Sequence, residues 1–232
     1  DDNEPTYHFY FASNGKKTVS TEKTIGNVKY TFDDRGVAQD SWVHNSDKGT
    51  WKYYGDEEEP KLHTGWFEAV PSKELNSDDH ENGTTHWYYA NSKGEITIPT
   101  ADGEVGVVKT IDGKSYLFNS DGEMVTGLRI LTYDGSKITN ISSEVDTADT
   151  VKNMNSDTMK LVYFESNGAA KTGTTTITLD GTSYTFSFKS NGSPRGVGET
   201  GISDGYIYQN GLRLTADEDT KYGVVTYKNE SY

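Results

Sequence analysis

One pattern constrains this chain more than any other. Two bulky side chains separated by a single residue are followed by a short polar turn that ends in glycine. Phe9 and Phe11 precede Gly15, Tyr30 and Phe32 precede Gly36, and Tyr116 and Phe118 precede Gly122. Val162 and Phe164 precede Gly168, and Phe186 and Phe188 precede Gly192, always six and four residues ahead of the glycine. Trp87 and Tyr89 before Gly94, and Tyr206 and Tyr208 before Gly211, fit with a slip of one residue. An eighth unit, Trp51 to Trp66, carries "WKYY" but has the acidic run "GDEEEP" in place of the turn glycine. Where adjacent anchors can be measured they lie 21, 28, 24 and 19 residues apart. Recurrence at a period of roughly 20 marks a repeat array.

Two side chains at i and i+2 leave a strand on the same face. Asn-Gly and Asp-Gly supply the positive φ angles of tight hairpin turns, and the chain holds five of the first and six of the second. In "IDGKSYLFNSDGEM" the chain turns in at Asp112-Gly113, runs through Tyr116 and Phe118, and turns out at Asp121-Gly122. One unit is therefore a β-hairpin with an aromatic face. A lone hairpin is marginal in water, and stacking buries each face against the next unit. The expected fold is all-β, a repeat array of stacked β-hairpins, β-solenoid-like, with irregular insertions.

Composition supports a thin β structure. Tyr outnumbers Phe by 16 to 8, with 4 Trp, and such rings cover apolar area while keeping a polar edge wet. The net charge of −14 leaves no basic stripe for nucleic acid and disfavours anionic membrane surfaces. No apolar run approaches the roughly 18 residues that span a bilayer. There is no cysteine, hence no disulfide framework or thiolate chemistry. The chain opens on "DDNEP" without a basic and apolar leader, so it reads as a mature piece of something longer.

Two stretches break the period. "PSKELNSDDHENG", Pro71 to Gly83, reads as an exposed loop inserted in a hairpin. Tyr133 to Lys160 lies in a long gap between anchors, where Val145, Ala148, Val151 and Met154 recur every three residues after possible caps at Ser142 and Ser143. A short helix, a loop or a degenerate repeat all fit. The expected organisation is a Trp-containing hairpin stack over 1–132, an insertion or degenerate repeat over 133–160, and Trp-free hairpin repeats over 161–232.

"IDGKSYLFNSDGEMVTGL" and "WKYYGDEEEPKLHTGW" resemble the choline-binding and glucan-binding cell-wall repeats of Gram-positive bacteria. That pattern is a Trp-Tyr-Tyr or Tyr-x-Phe strand, a polar turn ending in Gly, an apolar residue two further on, then Thr-Gly-Trp. Ala38, Ile96, Met124 and Ala170 hold the apolar place, Trp42 holds the closing Trp, and Leu62 with Gly65-Trp66 closes the unit without a turn glycine. The resemblance covers about three quarters of the chain. Thr126-Gly127 and Thr172-Gly173 keep the Thr-Gly step but are followed by Leu128 and Thr174.

The resemblance implies a non-catalytic cell-wall or glucan-binding module of a secreted bacterial surface protein. Its partners would be cell-wall glycan, glucan or choline-bearing teichoic acid, with no nucleic acid and no membrane insertion. It places two aromatic cages, Trp42 with Trp51 and Tyr53, and Trp66 with Trp87 and Tyr89. Cation–π attraction accounts for the residue types, and sugar faces stack on the same rings. Hairpin core alone accounts for them equally, and exposure of the four indoles separates these readings. The absence of Trp beyond residue 87 implies little binding by the C-terminal half. Two alternatives are a structural stalk for an adhesin, and an accessory region of a cell-wall hydrolase or glucansucrase whose catalytic domain lies elsewhere. No catalytic residue, cofactor or metal site is expected: the five His show no zinc spacing, and "FNSDGE" lacks most ligands of a calcium loop.

Overall fold

The computed structural model describes residues 5–191 and 195–216, and the backbone of a short pair at 226–227 and 230–231. Among them strands run in antiparallel hairpins almost throughout, with two short helices. Backbone contacts divide the chain into two compact units, one holding Asp1–Thr100 and Asp121–Met124, the other Ala101–Ser120 and Val125–Tyr232. No helix among the described residues is long and apolar enough to cross a membrane.

The first unit contains three hairpins: β1 (Thr21–Ile25) with β2 (Val28–Phe32), β3 (Trp42–Asn45) with β4 (Thr50–Tyr53), and β5 (Gly65–Ala69) with β6 (His86–Ala90). Helix α1 (Ser77–Asn82) lies between β5 and β6. The second unit contains two five-stranded sheets. One is formed by β7 (Gly106–Ile111), β8 (Lys114–Asn119), β9 (Gly127–Asp134), β10 (Lys137–Ile141) and β11 (Met159–Phe164), in the order β11-β9-β10-β7-β8. The other is formed by β12 (Gly173–Leu179), β13 (Thr182–Phe188), β14 (Gly201–Ser203), β15 (Tyr206–Gln209) and β16 (Leu212–Arg213), in the order β12-β13-β16-β15-β14. Helix α2 (Ala148–Asn153) precedes β11. A last pair, β17 (Thr226–Tyr227) and β18 (Glu230–Ser231), is antiparallel.

The repeat read from the sequence has one hydrogen-bond scheme. Gly15, Gly36, Gly94 and Gly168 adopt φ of 78–79° and donate their N–H to the residue three before. That residue donates in turn to the carbonyl just past the glycine, as in Asp33 N–H to Val37 O at 2.9 Å. This is a tight turn closed by one left-handed residue, a conformation glycine adopts without steric cost. The residue two past the glycine then bridges the strand four before it: Phe11 with Lys17, Phe32 with Ala38, Ala90 with Ile96, Phe164 with Ala170.

The same residue joins one unit to the one before. Its N–H donates to a carbonyl on the earlier strand pair: Ala38 to His8, Leu62 to Lys29, Ile96 to Trp51, Met124 to Trp87, Ala170 to Ser115, Gly198 to Leu161, all at 2.8–2.9 Å. A backbone donor that would otherwise be orphaned is thus satisfied by the stack itself. The anchor expected at Gly192 lies outside the described residues; beyond it Gly196 donates to Lys189 O, and Gly198 bridges Phe188.

The stretch 71–83 is not a plain exposed loop. Pro71 is fully buried, and α1 is capped by Asn76, whose side chain accepts from Asp79 N–H, and stopped by left-handed Gly83. In the 133–160 region α2 forms, but Thr147 caps it by accepting from Thr150 N–H. Ser142 is occupied elsewhere, accepting from Ile130 N–H at 2.9 Å. Val145, Ala148 and Val151 enter a core with Leu128, Leu161, Phe186 and Phe188; Ala148 and Val151 are the buried face of α2, and Val145 joins them from the segment before the helix.

Candidate functional site

The six aromatics expected to bind ligand all lie in the first unit. On β3–β4, Trp42 stands opposite Tyr53, and His44 opposite Trp51. These four side chains therefore share one face of the hairpin. Trp42 and Tyr53 meet, with ring centroids 4.9 Å apart. Trp51 is buried at 7 % exposure, and its ring stacks on His44 at 4.4 Å and 7°. Phe67 lies beside both other rings, 6.2 Å from Trp42 and stacked on Tyr53 at 5.3 Å and 6°. Tyr88 packs edge-on to Trp42 at 4.9 Å. The indole N–H of Trp42 donates to Val70 O at 2.8 Å. These are ordinary ring–ring packing distances, and they make this group the core of the unit together with Ala69, Ala90 and Ile96.

The second set sits differently. In β5–β6, Trp66 is opposite Tyr89 and Glu68 opposite Trp87, while Phe67, Tyr88, Ala69 and Ala90 are buried. Alternation along the strands puts Trp66, Glu68, Trp87 and Tyr89 on one face and the core on the other. Trp66 and Tyr89 meet edge-on at 5.2 Å. Trp87 is 45 % exposed, and its carbonyl takes the Met124 N–H.

Tyr53 and Glu68 also line a cavity of about 390 Å³ with Asp56, Glu58, Glu59, Lys61 and His63. The acidic insertion "GDEEEP" builds its wall. Asp56 Oδ1 accepts from Glu58 and Glu59 N–H and folds that run into a turn. Four carboxylates face one ammonium here, and Lys61 is already paired with Glu59, which raises its pKa. Burial raises the Tyr53 phenol, helped by the charge of Asp56. Burial, then the charge of Lys61, pulls His63 below its ordinary 6.5 against the opposing pull of Asp56 and Glu59. At neutral pH the cavity therefore presents an uncharged imidazole, a phenol and an excess of negative charge. In the sequence the insertion registers only as the loss of a turn glycine; its acid run close to Tyr53 was the available signal.

A third group was not visible in the sequence. Asp79 of α1, His86 of β6 and Glu123, which follows a turn glycine, bring one ligand atom each within 4.8 Å of one another. His86 Nε2 lies 2.9 Å from Asp79 Oδ2 and 3.6 Å from Glu123 Oε1. Asn76 donates its amide to the same two oxygens, at 2.8 and 2.9 Å. Glu123 is buried.

With this geometry in place, the fold finds counterparts among solved structures. It is similar to that of choline binding protein F of Streptococcus pneumoniae. The likeness has a TM-score of 0.54 at 18 % identity and covers 91 % of this chain and 58 % of that one. The same protein, solved in the presence of a peptidoglycan analogue, a tetrasaccharide-pentapeptide, matches at a TM-score of 0.53 with the same identity and coverage. The chain thus spans less than two thirds of the protein it resembles. No protein-family model matches the chain, and no curated protein matches it in sequence. The likeness establishes the hairpin-repeat fold that the sequence pattern pointed to.

Proposed function

We propose that this chain is a non-catalytic cell-wall-binding module of a bacterial surface protein, and that its first unit takes the quaternary ammonium of choline-bearing teichoic acid. The observation that carries this reading is the acid-lined cavity at Tyr53 and His63. Its volume suits a small ligand, its charge suits a cation, and its rings supply π faces, each worth about 0.5–2 kcal/mol to a cation depending on desolvation. Glu68 lies both on the cavity wall and on the face that carries Trp66, Trp87 and Tyr89, so the two surfaces share one carboxylate. Several weak sites on one polymer reinforce each other through effective concentration. The fold likeness to a choline-binding protein supports the same assignment.

A second reading is favoured by Trp87. A half-exposed indole beside Tyr89 is a flat platform on which a sugar ring of cell-wall glycan or glucan stacks without any need for charge. The stalk reading draws on Trp51 and Trp42, whose rings serve packing.

The experiment is a tryptophan-fluorescence titration with choline chloride and with a soluble glucan. All four Trp lie in the first unit, so the signal reports on it alone. Saturation by choline that weakens several-fold in Glu68→Gln and Tyr53→Ala supports the ammonium site. Saturation by glucan that ignores Glu68→Gln but vanishes in Trp87→Ala moves the assignment to glycan. A flat response to both leaves the module a spacer.

A further inference from the structure

We propose that Asp79, His86 and Glu123 bind one divalent first-row transition-metal ion, with Zn²⁺ the best match to the donor set. One imidazole nitrogen and two carboxylate oxygens are ligands that Zn²⁺ takes at about 2.0–2.2 Å, which puts ligand atoms about 3.4 Å apart in a tetrahedron. The present separations, 2.9 and 3.6 Å from His86 Nε2 and none above 4.8 Å, reach that geometry by small side-chain shifts. Calcium is a poor fit, since it asks for six to eight oxygens.

The surroundings are those of a built site. Asn76 donates one N–H to each carboxylate and its Oδ1 accepts from Asp79 N–H. A carboxylate oxygen that accepts one such bond keeps a second lone pair for a metal. Outer partners of this kind orient metal ligands. Glu123 is buried at 8 % exposure, whereas the Asp79 and His86 side chains are 31 % and 26 % exposed, which gives an ion an entry path and leaves a coordination position for water. An independent observation points the same way. Tyr88 leaves β6 on the same face as His86, is fully buried, and its hydroxyl has no hydrogen-bond partner among the described residues. That hydroxyl lies in the field of Glu123, Asp121 and Asp79. A phenol left unpaired beside concentrated negative charge is a natural donor or acceptor for a metal-bound water.

The ion would tie α1, β6 and the 121–124 segment together within the first unit. Met124 N–H already holds the Trp87 carbonyl, so the brace sits directly behind the strand that presents Trp87. The insertion at 71–83 then has a purpose: it brings Asp79 and Asn76 to the strand.

The test uses the whole chain stripped with EDTA and titrated separately with ZnCl₂, MnCl₂ and CaCl₂ by calorimetry and thermal melting, and with CoCl₂ by absorption. The expected result is one equivalent of Zn²⁺, a raised Tm, and Co²⁺ d–d bands of a low-coordinate nitrogen–oxygen site. His86→Asn and Glu123→Gln abolish the saturable binding, Asn76→Ala weakens it about 10–100-fold, and His44→Ala leaves it unchanged. The Co²⁺ spectrum of the unaltered protein needs no variant to fold. The proposal is overturned by no saturable heat or Tm shift at millimolar Zn²⁺, by a Co²⁺ spectrum like that of the aquo ion, or by equal affinity in Glu123→Gln. The cluster is then a hydrogen-bonded brace centred on His86.

Discussion

Replacing Trp42 and Trp87 in turn separates packing from binding, and the structure sets the size of each effect. Trp42 contacts Tyr53, Phe67 and Tyr88 and donates to Val70. Truncation of such a ring in a core costs about 3–5 kcal/mol, and the lost indole hydrogen bond adds about 1 kcal/mol. Trp87 keeps 45 % of its surface in water. Roughly half of the 150–250 Å² an aromatic buries is at stake, or about 2–3 kcal/mol as an upper estimate. Trp42→Ala should therefore destabilise the first unit by about 2–3 kcal/mol more than Trp87→Ala. At about 2 kcal/mol/M in urea, that separates the two midpoints by more than 1 M. Repeat proteins need not unfold in one step, but the Trp signal comes from the first unit, and each variant keeps three reporters. Trp42→Phe, which retains a ring, should lower the midpoint modestly and leave ligand titrations intact, whereas Trp87→Ala should lose the glycan response with little change in stability. Equal midpoints for the two alanine variants, or loss of choline binding in a stable Trp42→Phe, would mean that Trp42 belongs to an open cage and that the packing argument is wrong.

Gly198→Ala tests the stacking scheme: a Cβ there would sit 2.4 Å from Asn210 O and 2.8 Å from Gly211 N, both backbone atoms, so a loss of more than about 3 kcal/mol is expected. A far-UV melt that matches the parent would show that the two strands separate at little cost. The depressed pKa of His63 predicts that the unfolded first unit takes up a proton before the folded one does. Its stability should be full above pH 6.5 and fall as pH drops below that value; an imidazole NMR titration with a midpoint at or above 6.5 contradicts this. Choline binding should weaken over the same window as His63 becomes cationic. Tyr88→Phe in metal-free protein should be neutral or stabilising by about 1 kcal/mol, because it removes an unpaired buried hydroxyl. A clear drop in Tm would mean that the phenol is hydrogen-bonded through solvent.

The fold was legible because its determinants are local. A left-handed glycine, a polar turn and a bulky pair at i and i+2 are written within about ten residues, and each copy makes the same bonds. Asp112-Gly113 and Asp180-Gly181 form the two-residue turns their sequence announces, with positive φ at both positions. Which face of a strand meets the core is not local. "WYY" at 87–89 offers two same-face rings, Trp87 and Tyr89, yet the fully buried one is Tyr88 between them. The same letters in "WKYY" bury Trp51. A period of two cannot say which parity faces inward; that depends on how one hairpin lies on the next, which the sequence encodes only through the register of the whole stack. Asp79, His86 and Glu123 escaped for a related reason, since Glu123 comes to His86 only through the joint that bonds Met124 to Trp87.

That joint also decides where chemistry can be added to such a fold. Six units spend the N–H of the joining residue on the unit before it, so this position is fixed wherever that bond forms, and there the residue is small or apolar: Ala38, Leu62, Ile96, Met124, Ala170 and Gly198. Freedom lies immediately to either side. Between strand and joint, the turn that follows the second hairpin, β3–β4, tolerates "GDEEEP" because Leu62 and His63 still make their two bonds, to Lys29 and Tyr53; the result is the acidic cavity. Inside a hairpin, β5 and β6 tolerate a helical insertion because Trp66–Tyr89 and Glu68–Trp87 remain paired; the result is the Asp79–His86–Glu123 cluster. One residue before the joint, Glu123 can be acidic and buried because Met124 alone carries the register. The departures from the repeat therefore fall at the positions the stacking bonds leave unconstrained, and both candidate sites lie in the first unit, where those departures meet the chain's four Trp.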